Sequence, residues 1–467
     1  MNTLQIAWRN FQQRSLASIL TTLSLALGVA LTVAVLSVYG IVKDAFERNA
    51  SVGYNLVVGP KGSPLQLTLN SVYYLSQPIE NLPYTQYMEF MTKEQRAEQV
   101  RRFGGPAELA EREGAYSAYI RGGFAIPLAL GDFFGPFRVV GTTPDFFELL
   151  RYGPDVDQPF EIAEGRFFEE HSDQYGYFEA VVGSRVAQEM NVGVGDEFFP
   201  THGDPTGHGH DLGFTIVGVM KPTGTPNDRV AIVNLEGFYL MGGHAKPIDE
   251  EDLSEEEKAA LAEAETAEAE DGEAGGAAKF KPLMIRQREV TSILVRTGNP
   301  LFGPQIQNVV NEDIYAQAAA PVLEINKLMN LIVVPLLTAL MVITVITCVV
   351  AAVGILVSIY NSMSDRRRDI AVMRALGARR DTVTTVILLE SLLIAVIGGV
   401  SGWLLAHGAI WLAGGYIEAQ TGIRPGLFST SQYELVILPL VLALAALAGL
   451  LPAMVAYRTD VTKNLSA

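Results

Sequence analysis

Four long stretches of the sequence are apolar and almost free of charged residues. A helix that spans a lipid bilayer needs roughly 20 such residues, whereas a buried core helix typically has an apolar run of about 10–14. The stretches occupy residues 16–42, 328–360, 383–414 and 435–457. We therefore predict a membrane protein with four transmembrane α-helices and a large mixed α/β extracytoplasmic domain, residues 43–327, inserted between helices 1 and 2.

The first stretch is too long for a cleaved signal peptide. The apolar part of such a peptide has about 7–15 residues, so we expect residues 16–42 to remain as a membrane anchor. The preceding residues 1–15 mix apolar and polar side chains in the order MNTLQIAWRNFQQRS. This mixture favours a cytoplasmic amphipathic helix that lies in the membrane interface. An ordinary polar segment is the alternative.

Basic residues are distributed unevenly among the short hydrophilic segments. Residues 1–15 contain two Lys or Arg, residues 361–382 contain six and the tail, residues 458–467, contains two, whereas residues 415–434 contain one. Because Lys and Arg in short loops mark the cytoplasmic side of a membrane, we predict that both termini are cytoplasmic. The large domain and the short loop 415–434 are then periplasmic or extracytoplasmic, and the protein belongs in the bacterial inner (plasma) membrane.

The predicted extracytoplasmic domain contains two kinds of sequence. Between residues 130 and 240, short Val-rich segments alternate with Gly, Pro and Asp, which is typical of a mixed α/β domain. Residues 248–278 form an acidic low-complexity insertion, and residues 249–273 alone contain 13 acids and one Lys. That composition predicts a solvated insertion. A role in binding calcium or a partner is the alternative.

Composition and motifs exclude several classes of protein. The formal net charge of −17 offers no basic surface for nucleic acid. The single cysteine, Cys348, excludes an internal disulfide and any CxxC motif. The motifs GxxxxGK[ST], GxSxG and HExxH do not occur in the sequence. We therefore predict a non-catalytic transmembrane subunit with no bound cofactor apart from the candidate metal described next.

Histidines are concentrated in one part of the chain. Four of the six lie between residues 202 and 244, and the segment THGDPTGHGHD places His202, His208 and His210 beside Asp211. Neutral imidazoles and a carboxylate suit Zn²⁺, so these four residues are a candidate metal site. The alternative is a polar hairpin loop with incidental histidines, because the spacing matches no rigid ligand frame.

The segment 361–382 is predicted to be a cytoplasmic coupling helix or loop. In MSDRRRDIAVMRALGARRDTV, Ser364 can cap a helix, Ile370, Met373 and Leu376 recur at helical spacing, and Gly377 is placed to end it. One interpretation is an amphipathic helix offered to a soluble partner. The other is that its arginines satisfy the positive-inside rule and contact anionic headgroups.

The third apolar stretch contains small and ionisable residues that call for an explanation. Gly398, Gly399 and Gly402 include a GxxxG pattern, which permits close helix packing either within one protomer or at a dimer seam. Glu390 must face the helix bundle, an interface or a partner, and we interpret both it and His407 as structural.

Here the sequence resembles the MacB and FtsX superfamily of ATP-binding-cassette (ABC) permeases, with a LolC/LolE-like architecture. The resemblance lies in the coupling segment, in ILLESLLIAVIGGVSGWLLA and in LLPAMVAYR. It extends to VVGTTPDFFELL, EIAEGRFFEE, EAVVGSRVAQEMNVGVGDEF and FTIVGVMKPTGTPNDRVAIVNLEGF, which are similar to the MacB-type periplasmic core. Asp365 and Asp369 stand where the family often has Glu. Residues 59–87 and the acidic insertion also depart from the common pattern.

The resemblance implies a permease subunit that forms a homo- or heterodimer and binds two copies of a cytosolic ABC ATPase, which holds ATP and Mg²⁺. Nucleotide-driven movement would pass through the helices to the extracytoplasmic domain, a mechanism called mechanotransmission. The residues then expected to couple to the ATPase are Arg366, Arg367, Arg368, Asp369, Ile370, Met373, Arg374, Leu376 and Gly377. Membrane lipid and a periplasmic binding protein or adaptor are further expected partners.

Several functions fit this architecture. The substrate would be a lipoprotein, peptide, lipid or metal-linked cargo, and we expect residues 59–130 and the His-rich loop to determine specificity. One alternative is an FtsX-like regulator that activates an extracytoplasmic cell-wall enzyme. Another is a membrane-anchored receptor without an ATPase.

Overall fold

The computed structural model describes most of the chain. It covers residues 3–13, 15–49, 53–153, 156–205, 207, 209–247, 280–365 and 379–421, together with scattered positions between 439 and 454. The acidic insertion, the coupling residues 366–377 and most of the fourth apolar stretch therefore lie outside the described residues. Two compact units are present: a helical unit, Met1–Ala45 with Met329–Ala467, and an α/β unit, Phe46–Leu328.

Helices make up the described part of the helical unit and flank the strands of the α/β unit. In chain order they are α1 (Thr3–Gln13), α2 (Ser15–Asn49), α3 (Pro64–Ser71), α4 (Tyr84–Met88), α5 (Lys93–Phe103), α6 (Asp145–Leu149), α7 (Ser184–Met190), α8 (Leu235–Leu240), α9 (Phe302–Glu312), α10 (Pro321–Leu328), α11 (Val334–Asp365), α12 (Arg380–Leu412) and α13 (Gly414–Thr421).

Strands are confined, among the described residues, to the α/β unit. They are β1 (Leu56–Pro60), β2 (Leu82–Pro83), β3 (Phe124–Phe134), β4 (Phe137–Thr142), β5 (Arg151–Tyr152), β6 (Gln158–Pro159), β7 (Ile162–Gly165), β8 (Glu179–Val182), β9 (Glu197–Phe198), β10 (Thr201–His202), β11 (Phe214–Met220), β12 (Val230–Asn234), β13 (Glu289–Val290), β14 (Ser292–Arg296) and β15 (Ala316–Ala319).

Three helices in the described part of the chain are long and apolar enough to cross a membrane: Ser18–Gly40, Pro321–Gly354 and Asp381–Leu412. They coincide with the first three predicted stretches. The second begins earlier than residue 328, because α10 and a π-helical segment, Met329–Val333, precede α11. Pro321 fits the first turn of a helix, where its missing N–H needs no partner.

Two glycines of α12 pack closely against α2. A Cβ atom added to Gly398 would lie 3.0 Å from the side chain of Leu25, and one added to Gly402 would lie 2.4 Å from the carbonyl oxygen of Ala26. Position 402 therefore requires glycine, whereas a methyl group at position 398 would need the side chain of Leu25 to shift, and both contacts lie within one protomer. Gly399 is also buried. Glu390 and His407 are both buried in the same helix, and the ring of His407 packs on that of Trp403.

A large mixed sheet organises the α/β unit. Its strands follow the order β15-β1-β14-β3-β4-β12-β8-β11-β7, with β10 paired to β3 and β9 paired to β11. The pairs β4/β12 and β8/β11 are parallel, and the other pairs of this sheet are antiparallel. The Val-rich segments are β4, β8, β11 and β12, which are fully or mainly buried. The predicted mixed α/β character is confirmed.

Candidate functional site

A cluster of ionisable side chains in the α/β unit brings together residues from three separate segments of the chain. Asp132, His202, His210 and His244, called here the His–Asp cluster, each offer one ligand atom, and these atoms lie within 4.8 Å of one another. Three imidazoles and a carboxylate are a donor set that suits a divalent transition metal. The cluster is therefore the candidate site.

The position of Asp132 follows from an irregularity in β3. The pairing of β3 with β4 shifts register between Leu130 and Phe133. Such a bulge reorients a side chain that would otherwise follow the alternation of the strand. Asp132 is fully buried, although its neighbours in β3 are mostly apolar.

A short hairpin supplies two of the histidines. In its first arm, β10 pairs with β3 so that His202 lies opposite Asp132. The second arm returns through a bridge between Thr201 and Gly209, and the N–H of His210 donates a 2.9 Å hydrogen bond to the carbonyl of Pro200. The hairpin therefore presents His202 and His210 toward the same carboxylate.

The third histidine follows α8. The side chain of Asn234 caps this helix by accepting a 2.9 Å hydrogen bond from the N–H of Glu236. Gly243 then adopts a φ of +90°, which L-residues rarely reach. This turn places His244 beside Phe238, with their ring centroids 4.4 Å apart, and beside Asp132.

The ligand atoms of the cluster are close to one another, but a hydrogen bond satisfies only one of the two carboxylate oxygens of Asp132. Nδ1 of His202 is 3.0 Å from Oδ1 of Asp132 in a hydrogen-bonded contact. Nε2 of His210 and Nε2 of His244 are 3.1 Å and 2.9 Å from Oδ2. Even so, Oδ2 accepts no hydrogen bond of acceptable geometry from the described residues. The two Nε2 atoms are 3.4 Å apart.

Burial and neighbouring charges control the protonation of His210. Desolvation lowers the pKa of its imidazole, and the nearby rings of His244 and His202 lower the pKa further, whereas the charge of Asp132 opposes them. The net direction is downward. Because a metal binds the neutral imidazole, this environment favours the ligating form of His210.

A cavity of about 500 Å³ adjoins the cluster. Its lining includes Gln77, Asn81, Gly131, His202, His244 and Lys246. The amide nitrogen of Gln77 donates a 2.8 Å hydrogen bond to the carbonyl of Gly203 in the hairpin. The unusual segment 59–87 and the His-rich loop, which were separate features of the sequence, therefore meet at one cavity.

The predicted metal ligands have different locations in the structure. His202 and His210 belong to the cluster, His208 lies outside the described residues, and Asp211 is exposed and contributes no atom to the cluster. Sequence reasoning missed Asp132 and His244 as members of the cluster. The available signals were the Gly–Asp pair inside an apolar strand sequence and the membership of His244 in the histidine-rich stretch.

Two family matches cover most of the chain. The MacB-like periplasmic core domain matches residues 18–271, which is more than half of the chain, and the FtsX-like permease C-terminal matches residues 341–461. The first match contains most of α2 and much of the α/β unit, including the His–Asp cluster. The second contains most of α11 and all of α12.

Similar proteins include permeases and longer proteins with an ATP-binding part. The pyoverdine export ATP-binding/permease protein PvdT of Pseudomonas savastanoi is 22% identical over 87% of this chain and 52% of its own length. An uncharacterised ABC transporter permease of Methanocaldococcus jannaschii is 22% identical over 86% of this chain and 82% of its own length. The macrolide export protein MacB of Bordetella avium is 34% identical over 27% of this chain and 18% of its own length.

The chain spans about half the length of PvdT, although the match covers 87% of the chain itself. The matches agree with the long apolar helices and with the α/β unit that lies between them in the sequence. The chain therefore belongs to the MacB/FtsX family of ABC transporter permeases, which are membrane proteins.

Proposed function

We propose that this chain is the permease subunit of an exporter that works by mechanotransmission. ATP hydrolysis on cytosolic subunits moves the coupling segment, residues 361–382. The helices then pass the movement to the α/β unit outside the membrane. The observation that supports this most strongly is the pair of family matches, one to a periplasmic core domain and one to a permease domain.

The packing of the helical unit supports a mechanical role. Close contact between α2 and α12 leaves no space for a methyl group at Gly402 and little space at Gly398. Densely packed elements transmit a displacement with little absorption. Both chain connections between the units are helical, since α2 continues to Asn49 and α10 leads through the π-helical segment into α11. A push on these helices would therefore reach the α/β unit.

The proposed motor is a nucleotide-binding domain that these 467 residues do not contain. The sequence contains no GxxxxGK[ST] motif to hold phosphate. PvdT and MacB, by contrast, are named ATP-binding/permease proteins. We therefore expect two ATPase copies to act on a dimer of this permease in the bacterial inner membrane, with both termini cytoplasmic.

The proposed substrate of this chain is a broader class than the substrates for which its relatives are named. The relatives are named for export of pyoverdine and of macrolides, which supports outward movement of a cargo. For this chain we retain a lipoprotein, peptide, lipid or metal-linked cargo that meets the α/β unit at the cavity beside the His–Asp cluster. An FtsX-like regulator would have the same architecture but no cargo.

The proposed ATPase coupling can be tested with a double substitution in segment 361–382. We expect Met373→Asp with Leu376→Asp to abolish binding of the nucleotide-binding subunit in detergent pull-downs, while membrane insertion is retained. Ala375→Asp is the matched control, because helical spacing predicts it on the opposite face. Unchanged binding in the double variant would contradict the coupling role. If no ATPase is recovered with the unmodified chain, the result would favour the alternative of a membrane-anchored receptor without an ATPase.

Mechanotransmission itself predicts a distance change in the α/β unit. Lys93 is exposed at the start of α5, and Cys348 is the only cysteine of the sequence. A Cys348→Ala, Lys93→Cys variant can therefore carry one spin label per protomer. We expect the label-to-label distance in the dimer to change when ATP and vanadate are added to the complex. Identical distance distributions with and without nucleotide would refute the mechanism.

A further inference from the structure

We propose that Asp132, His202, His210 and His244 bind one Zn²⁺ ion. This site is independent of the proposed ATPase coupling, because every ligand belongs to the α/β unit. It also differs from the set predicted from sequence, since Asp132 and His244 complete it. The ion would join β3, the β10 hairpin and the segment after α8.

The distances among three of the four donor atoms fit a tetrahedral zinc site, and the fourth, from His202, lies within 4.8 Å of them. Zinc binds imidazole nitrogen at about 2.0–2.1 Å, and two ligands of a tetrahedron at that radius are roughly 3.3 Å apart. The Nε2 atoms of His210 and His244 are 3.4 Å apart. Their distances to Oδ2 of Asp132 are 3.1 Å and 2.9 Å. These three atoms therefore surround a common point at a radius suitable for the ion.

The buried carboxylate supplies a second, independent argument. Asp132 is fully buried, and its Oδ2 atom lies within 3.1 Å of two imidazole nitrogens but has no hydrogen-bond partner of acceptable geometry among the described residues. A buried charge without such a partner is costly. The guanidinium of Arg138, whose charge interacts with that of Asp132, donates a hydrogen bond to the carbonyl of Ser76 instead. A divalent cation at the common point would compensate the charge and use the free oxygen.

The donor types select the metal. Three imidazole nitrogens and one carboxylate oxygen suit Zn²⁺, whereas Mg²⁺ and Ca²⁺ prefer sites made of oxygen atoms. A purely hydrogen-bonded histidine network is the competing explanation. It accounts for the contact between His202 and Oδ1 and for the 3.4 Å contact between the Nε2 atoms of His210 and His244, but it leaves Oδ2 of Asp132 without a hydrogen bond of acceptable geometry.

Zinc at this position would stabilise the wall of the adjoining cavity. His202 and His244 both line the cavity, and the hairpin contacts Gln77 on another side of it. Because the three ligating segments are far apart in the sequence, the ion would act as a cross-link between them. We therefore expect zinc to raise the thermal midpoint of the protein.

The experiment is a zinc titration of the full chain in detergent after treatment with a chelator. Calorimetry and elemental analysis should give one Zn²⁺ per chain, and Mg²⁺ should not compete. We expect Asp132→Asn and His244→Ala to weaken zinc binding by about 100-fold or more, by comparison with the 10- to 100-fold effect of residues that merely support a ligand. Replacement by Co²⁺ should give the absorption spectrum of a tetrahedral site.

Matched controls separate loss of the site from loss of the fold. Asp211→Asn lies in the same loop and His171→Ala removes a histidine elsewhere in the unit, and both should bind zinc normally. His202→Ala provides a ligand variant that should fold, because this side chain is 61% exposed. The metal-free thermal midpoint of each variant checks folding. Absence of zinc binding by the unmodified chain, or equal binding by ligand variants and controls, would overturn the proposal.

Discussion

The buried ion pair between Arg288 and Glu236 should be essential for the stability of the α/β unit. The Arg288 side chain is fully buried and donates a 2.8 Å hydrogen bond to Glu236, and a second bond joins the same two groups. Its Nε donates to the carbonyl of Leu283 at 2.7 Å, and its guanidinium carbon is 3.4 Å from the ring centroid of Phe103. Glu236→Ala would leave this cation buried without its counter-charge.

The expected magnitude follows from the burial of the pair. Removing one partner of a buried ion pair costs about 3–5 kcal/mol, which is a large part of the roughly 5–15 kcal/mol that stabilises a typical domain. A domain of about 150–250 residues loses roughly 2–4 °C in thermal midpoint per kcal/mol. We therefore expect Glu236→Ala to lower the midpoint by roughly 10 °C.

Thermal unfolding of the full chain in detergent, followed by intrinsic fluorescence, measures this effect. Glu98→Ala is the matched control, because its partner Arg101 and Glu98 itself are largely exposed, and such pairs contribute at most about 1 kcal/mol. The double variant Glu236→Ala, Arg288→Met should recover much of the loss, since it removes the unpaired charge. Equal midpoints for Glu236→Ala and Glu98→Ala, or no recovery in the double variant, would refute the reasoning.

Three further predictions concern packing, pH and helix continuity. Gly402→Ala should destabilise the helical unit by about 1–3 kcal/mol through its clash with α2, whereas Gly408→Ala, which meets no atom within 4 Å, should be neutral or stabilising in the same detergent unfolding assay. Desolvation raises the pKa of buried Glu179, but hydrogen bonds and the charge of Arg166 outweigh it and lower that pKa below the ordinary 4.5. The ion pair should therefore stabilise the fold above about pH 4.5 and lose this effect as pH falls through the lowered pKa, and a pH series of thermal midpoints should be flatter for Glu179→Gln. Leu331→Gly, in the π-helical segment, should reduce stimulation of the partner ATPase more than Leu331→Ala does, because glycine weakens a helix by about 1 kcal/mol relative to alanine.

Local sequence patterns were sufficient to predict the long apolar helices and the buried strands. The apolar stretches predicted the helices that include α2, α11 and α12, because length and lack of charge are properties of the stretch itself. The Val-rich segments predicted strands for a similar reason. The second long helix begins at Pro321, earlier than the apolar stretch that starts at residue 328, because residues 321–327 are helical but not uniformly apolar.

The candidate site was only half predictable. His202 and His210 lie close together in a Gly-rich segment, so their proximity could be inferred from the sequence. Asp211 is adjacent to His210 in the chain, yet it is exposed and lies outside the cluster. Proximity in sequence therefore identified the loop but not the direction in which each side chain points.

The sequence by itself determined which segments are long apolar helices, which are buried strands and where histidines are concentrated, because these properties depend on neighbouring residues. Tertiary structure alone decided that Asp132 and His244 join His202 and His210, and that Gly402 meets α2. Those contacts depend on a bulge in β3, on the turn at Gly243 and on the pairing of elements that are distant in the chain. Such pairings are set by the packing of the whole unit, and no local pattern records them.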